Sequence, residues 1–144
     1  MSANSRLTIA VHVLTWMTLV DRDGRDLVTS DQIAKSVNTN PVIIRRSLAD
    51  LRRAGLVEVR HGAGAGWRLA RQPEAITLLQ VYRAVEQEPL FGMHRTEPSR
   101  HCPVGRGIRP ALSQLYGDIE QTLERELGRT SIADILRETL AAQA

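Results

Sequence analysis

Apolar positions along the chain fall into blocks of helical period separated by short polar turns. Leu7 to Val20 is apolar on most sides, which predicts a first helix over about Arg6 to Val20, followed by a polar turn at Asp21 to Asp26 centred on Gly24. Thr29 and Gln32 stand at capping-box spacing and open a short second helix through Val37. Asn38-Thr39-Asn40 stops it, and Asn40 followed by Pro41 is a favourable cap and first-turn pair for a third helix, which Gly55 ends. At 100° per residue, Ile44, Ser47, Leu48 and Leu51 share one side of that helix, while Val42, Arg45, Arg46, Ala49, Arg52 and Arg53 spread over the other.

The period changes after Gly55. Leu56 to Arg60 alternates and reads as a strand, His61 to Gly66 as a tight glycine-rich loop, and Trp67 to Ala70 as the returning strand of a hairpin. Glycines at 62, 64 and 66 match neither the dinucleotide fingerprint nor a P-loop, and no Lys-Ser/Thr follows them. Ile76 to Val85 forms a fourth amphipathic helix, placed to brace the hairpin. Gln87 to Gly107 is irregular, with Pro89, Gly92, Pro98 and Pro103. A long helix then carries Ile108, Leu112, Leu115, Ile119, Leu123 and Leu127 at spacings of three and four, a stripe about 30 Å long. A domain this small cannot cover such a stripe, so a partner helix is expected. A helix beginning as early as Pro103 would be kinked or broken at Pro110. Thr130 to Asp134 opens a short capped helix with Ile132, Ile135 and Leu136, and the tail Ala141 to Ala144 is expected to fray.

Two short helices across a tight polar turn form a helix-turn-helix, and the hairpin is its wing. The expected fold is therefore mostly α with a small β-wing: a winged helix-turn-helix over residues 1–86, an irregular regulatory loop over 87–107, and a long dimerisation helix with a C-terminal cap over 108–144. Charge supports this division. Of the 144 residues, the first 71 hold ten Arg and Lys35 against six acids, a net of +5, and the rest hold eight Arg against ten acids, a net of −2. The basic half suits a polyanion that the acidic half would repel. Arg45 and Arg46 lie where a recognition helix meets base edges, and Arg52 and Arg53 lie later, within reach of phosphate.

One cysteine, Cys102, allows no internal disulfide, which points to the cytoplasm. Leu7 to Val20 is too short for a membrane span and shows no small-residue cleavage site. No nucleophile elbow, metal-protease motif or acid-base pair is present, so an enzyme reading has no support. His94, Glu97, His101 and Cys102 match no strong zinc spacing. Cys102 has two readings. Arg100, His101, Arg106 and a helix N-terminus would favour its thiolate and make it an oxidation sensor, whereas a free cysteine is also commonly a small buried side chain. His12 is expected to be a partly buried structural residue, and Trp16 and Trp67 packing anchors, with Trp67 also placed to line a small pocket.

The order of these elements resembles that of the bacterial Rrf-two family of winged-helix transcription regulators, over nearly the whole chain. The stretches that carry the resemblance are Asn40-Pro41 with Arg45-Arg46, Leu51 to Val57, Gly62 to Trp67, and His101-Cys102-Pro103-Val104-Gly105. It implies a homodimer, built by crossed long helices through Ile108, Leu112, Leu115, Ile119 and Leu123, on double-stranded palindromic operator DNA. It also implies base reading near the start of the recognition helix, at Val42, Arg45 and Arg46, and a minor-groove wing contact at His61 with Arg60 beside it. Thr29 and Asn40, at the helix starts, complete the expected DNA-contacting set with Arg52 and Arg53. Iron-sulfur members of the family use three cysteines in the loop before the long helix. This chain has the third, at Cys102, while the other two positions fall near Leu90 and Thr96, so no cofactor is expected. The chain looks more like the cluster-free branch, and a repressor responding to a small molecule or an oxidant is the resulting expectation. The competing class is a winged-helix protein-interaction module that leaves its basic face unused; salt-sensitive duplex binding separates the two.

Overall fold

The computed structural model describes residues 5–143. Its elements are α1 (Arg6–Arg22), α2 (Ser30–Val37), α3 (Pro41–Arg53), β1 (Val57–Arg60), β2 (Gly66–Leu69), a 3₁₀ turn at Pro73–Ala75, α4 (Leu78–Val85), α5 (Pro103–Gly128) and α6 (Ile132–Ala141). Ala144, the end of the tail expected to fray, lies outside the described residues.

Helix α1 is the spine. It packs against α2, α3, α4, α6 and β2, burying Ala10, Val13, Leu14 and Met17. Two buried threonines sit on it without an unmet donor, because Thr15 Oγ1 donates to Val11 O (2.6 Å) and Thr18 Oγ1 to Leu14 O (2.8 Å). His12 is exposed rather than partly buried, with Nε2 3.0 Å from Ser36 Oγ. The inward arc of α1 runs through Ala10, Val13, Leu14 and Met17, which leaves position 12 off that arc.

Local signals set the element ends. Thr29 and Gln32 form the expected capping box (Gln32 N to Thr29 Oγ1, 3.1 Å; Thr29 N to Gln32 Oε1, 2.9 Å). Asn38 enters the left-handed region at φ 61° to end α2. A second box, Thr77 with Gln80, starts α4 two residues later than the hydrophobic pattern alone places it. A third, Ser131 with Asp134, starts α6. Hydrogen bonds from the Ser131 backbone and from Arg137 hold the Asp134 carboxyl below its ordinary pKa.

The wing is larger than a hairpin. β1 and β2 pair antiparallel, with Glu58 opposite Arg68 and Arg60 opposite Gly66. Val28 adds a bridge on the far side of β2, donating to Trp67 O (3.0 Å) and accepting from Trp67 N (2.7 Å). This fixes Trp67, which packs half-buried against the core. Gly66, read as the end of the loop, opens β2 instead and is buried. A Cβ there would lie 3.0 Å from Val28 O and 3.2 Å from Val28 N, so the glycine admits the third segment.

The long helix begins at Pro103, five residues before Ile108, and runs through Pro110 uninterrupted to Gly128. Proline deprives Arg106 O of its helical donor. The preceding segment binds the first turns from outside. Arg106 Nη1 donates to Arg100 O (3.1 Å), and Arg109 Nη2 donates to His94 O (2.6 Å) and Thr96 O (3.0 Å). Gly105 lies so close to the Ser99 carbonyl that an added Cβ would stand 2.1 Å from its oxygen. At its other end α5 packs on α4, and Thr77 pairs with Ser131, with Leu78 N to Thr130 O at 2.9 Å and Ile132 N to Ile76 O at 2.8 Å. Through Ile132 and Leu136, α6 returns the chain to α1.

Gly66→Ala is expected to destabilise the protein by about 1–2 kcal/mol, the usual cost of forcing a methyl into packed surroundings. Urea unfolding monitored by tryptophan fluorescence measures this directly; an unchanged midpoint would show that Val28 is free to retreat from the wing.

Candidate nucleic-acid interface

The third helix is positioned by its caps and its inner face. Asn40 Oδ1 accepts from Val42 N (2.9 Å), and Pro41 takes the first turn, where no backbone donor is needed. The other end closes as a Schellman turn, with Leu56 N to Leu51 O at 3.0 Å and Gly55 N to Arg52 O at 2.9 Å. Gly55 makes this turn at φ 75°. The buried residues of α3 are Ile44, Ser47, Leu48 and Leu51, the four expected to share its inner side. Val42, Arg45, Arg46, Arg52 and Arg53 are all exposed; Ala49 is half-covered.

The cations of that outer face are not equivalent. Arg53 forms an ion pair with Asp50 three residues earlier, which lowers its availability to a phosphate. Arg45, Arg46 and Arg52 form no hydrogen bond or ion pair with the described residues. Each keeps its full set of guanidinium donors for another molecule. Val42, 51% exposed, and Ile43, 40% exposed, put apolar surface at the start of the same helix, the kind of surface that meets a thymine methyl.

Thr29 stands exposed at the start of α2, its hydroxyl oxygen accepting from Gln32 N and its proton left to donate. Asn40 likewise uses only its carbonyl oxygen in the cap. In the wing, Arg68 is paired with Glu58, whereas Arg60 and His61 are exposed beside a tip whose Gly62 and Gly64 adopt φ 86° and 71°. Arg71 is a cation that the sequence pattern did not single out. It is exposed, and its Nη2 would stand 3.9 Å from a Cβ on Gly55, which places it where α3 turns into the wing. Its presence in the basic half was the only signal.

The opposite electrostatics lie between α4 and α5. Burial raises the pKa of Tyr82, and Glu86, Glu120 and Glu124 raise it further. Cys102 is exposed at the N-cap of α5, so the reading of it as a small buried side chain does not hold. His94 is engaged with Thr96 O (3.1 Å) and Glu97 with Arg100 (3.0 Å). Among the described residues, no group of three or more His, Cys, Asp or Glu could hold a metal ion. The sequence holds one thiol, Cys102, fewer than a cluster site built on three cysteines of one chain requires.

On α5, Val104 (66% exposed), Ile108 (37%), Leu115 (51%) and Ile119 (37%) form an uncovered apolar row, and Leu112 and Leu123 beside them are half-covered. No helix of the described residues is long and apolar enough to cross a membrane.

Residues 3–138 match the family model Rrf2, described as an iron-dependent transcriptional regulator. The chain is 39% identical over 134 residues to YwnA of Bacillus subtilis, a protein named as an HTH-type transcriptional regulator, covering 92% of this chain and 96% of that one. A crystal structure described as that of a DNA-binding protein superposes with a TM-score of 0.72 at 35% identity, over 92% of this chain and 99% of the other. The fold is also that of the T. potens protein IscR, with a TM-score of 0.73 at 21% identity, over 100% and 92% of the two chains. Winged helix, long C-terminal helix and matched sequence agree: the chain belongs to the Rrf2 family of DNA-binding transcriptional regulators, a class without enzymatic activity.

Proposed function

We propose that the protein is a homodimeric repressor that binds a palindromic operator, with α3 of each protomer in one of two successive major grooves. The observation that carries this reading is the outer face of α3, where Arg45, Arg46 and Arg52 stand exposed and unpaired, opposite four buried residues that fix the helix's rotation. Arg45 and Arg46, near the N-terminal end, read base edges; Val42 contacts a thymine methyl; Arg52 binds phosphate, with Thr29 and Asn40 donating at the helix starts. Arg60 and His61 carry the wing into the flanking minor groove. The uncovered row on α5 is the dimer seam, and half-sites lie about 34–36 Å apart.

In this reading the segment before α5 is cluster-free, and the exposed thiol of Cys102, at the positive end of a 26-residue helix, responds to oxidants. Protein isolated without oxygen is expected to contain no stoichiometric iron or sulfide. Peroxide should change operator affinity in the native chain and leave Cys102→Ser unaffected; iron in stoichiometric amount, or an equal response in the variant, sinks this assignment.

Arg46→Ala is expected to weaken operator binding by about 1–3 kcal/mol and relax base preference at one position. Arg52→Ala should weaken all duplexes alike and reduce the slope of log K against log salt by about 0.9. Fluorescence anisotropy on operator and random duplexes at several salt concentrations tests both, and indistinguishable losses for the two variants would refute the division of labour.

Leu115→Glu with Ile119→Glu should convert a dimer into a monomer in sedimentation and abolish operator binding while far-UV circular dichroism is retained. A dimer that persists places the seam elsewhere.

A further inference from the structure

A groove of about 360 Å³ lies between α1 and α6 and ends against the last turn of α2. Its volume is that of a small-molecule site. Val11, Trp16, Leu19, Ile135 and Leu140 are among its apolar lining, and no Asp, Glu, Lys or Arg lines it, in a chain where such residues are 24% of the total. Two of its polar side chains are engaged with backbone carbonyls four residues earlier: Thr15 Oγ1 with Val11 O (2.6 Å) on α1, and Gln143 Nε2, just beyond α6, with Thr139 O (3.2 Å). The pair His12 Nε2 and Ser36 Oγ, 3.0 Å apart, forms a polar end that joins α1 to α2.

This lining selects its occupant. A charged molecule would leave water for a largely apolar wall without Asp, Glu, Lys or Arg, so a neutral one is favoured. The Trp16 ring supplies an aromatic face, and the His12–Ser36 pair supplies a donor and an acceptor at one end. We infer that the groove is an effector site for a neutral, single-ring aromatic molecule with one hydrogen-bonding group, of the phenol class, stacked on Trp16 and joined to the His12–Ser36 pair.

The site has a route to the DNA-contacting helix. Ser36 lies in the last turn of α2, two residues before the left-handed Asn38 and four before Asn40, whose side chain caps α3. A ligand that draws Ser36 toward α1 moves the start of α3 relative to the spine, and operator affinity changes with it. This regulatory step rests on the operator-binding function proposed above, whereas occupancy of the groove does not.

The test uses the full chain carrying Trp67→Phe, so that Trp16 gives the one indole N–H resonance. It is titrated with p-cresol and, separately, with the anion p-toluate at pH 7. The expected result is a saturable shift of the Trp16 resonance with p-cresol, at least tenfold weaker binding of p-toluate, and at least tenfold loss for p-cresol in a His12→Leu variant. Position 12 is exposed, so that variant is expected to fold, and its thermal midpoint checks this. Saturating p-cresol should change operator affinity at least threefold. Absence of a saturable shift, or equal binding of the anion, overturns the site. Binding without any change in operator affinity overturns its regulatory role. A change of sedimentation coefficient in His12→Leu would make the groove a contact between copies and overturn the proposal as well. If the protein bound no duplex, the operator reading would fall while the cresol titration still decided the site.

Discussion

Burial of one face of α3 is the constraint on which the bearing of its exposed arginines depends. Ile44, Ser47, Leu48 and Leu51 are inside, against α1, α2 and α4. A helix of 13 residues held on four buried positions has no rotational freedom, so the bearing of Arg45 and Arg46 follows from packing several ångströms behind them. The caps add the axial register. Asn40 fixes where the helix starts, and the Schellman turn at Gly55 both ends it and aims the chain into β1. The turn therefore joins α3 directly to the wing, and the Val28 bridge ties the wing to the segment that enters α2.

The long helix obeys a different rule. Its C-terminal end is held against α4 and, through the Thr77–Ser131 pairing, close to the 3₁₀ turn, while its N-terminal half carries apolar side chains that the described residues leave exposed. An exposed apolar row on a helix otherwise rich in Glu and Arg is costly in water and marks an interface. Charge is partitioned consistently with this: unpaired arginines on α3, and a cluster of glutamates around Tyr82 where α5 meets α4. A polyanion is drawn to the first surface and repelled from the second.

What the sequence made legible is local in origin. Capping boxes at Thr29 and Ser131, the Asn40-Pro41 start, the glycine stop at 55 and the inner face of α3 each depend on residues within one or two turns. What it concealed depends on distant partners. Gly66 looked like a loop residue because its constraint, the Val28 backbone, is 38 positions away. The start of α5 at Pro103 is hidden by Pro110, which argues against a continuous helix, and the bonds from Arg106 and Arg109 to carbonyls of the preceding segment leave no periodic signal in the sequence. His12 was misjudged because a helix apolar on most sides does not reveal which arc faces the core. Arg53 is the exception, since its spacing to Asp50 was visible in the sequence as an ion pair.

The segment preceding α5 holds a single cysteine, in a family whose model is described as iron-dependent. In the cluster-free reading, protein groups alone must give this stretch its shape, and they are present in number. Two guanidinium groups gather the carbonyls of His94, Thr96 and Arg100. The Ser99 carbonyl closes on Gly105. The Leu90 amide donates to Glu120 (3.3 Å), and Phe91 rests on Tyr116 with ring centroids 4.9 Å apart. These contacts all run between the segment and α5, the helix that carries the exposed apolar row. Under the function proposed above, anything that alters the segment, oxidation of Cys102 included, would therefore act first on the helix that sets the spacing of the two recognition helices, and through that spacing on the operator.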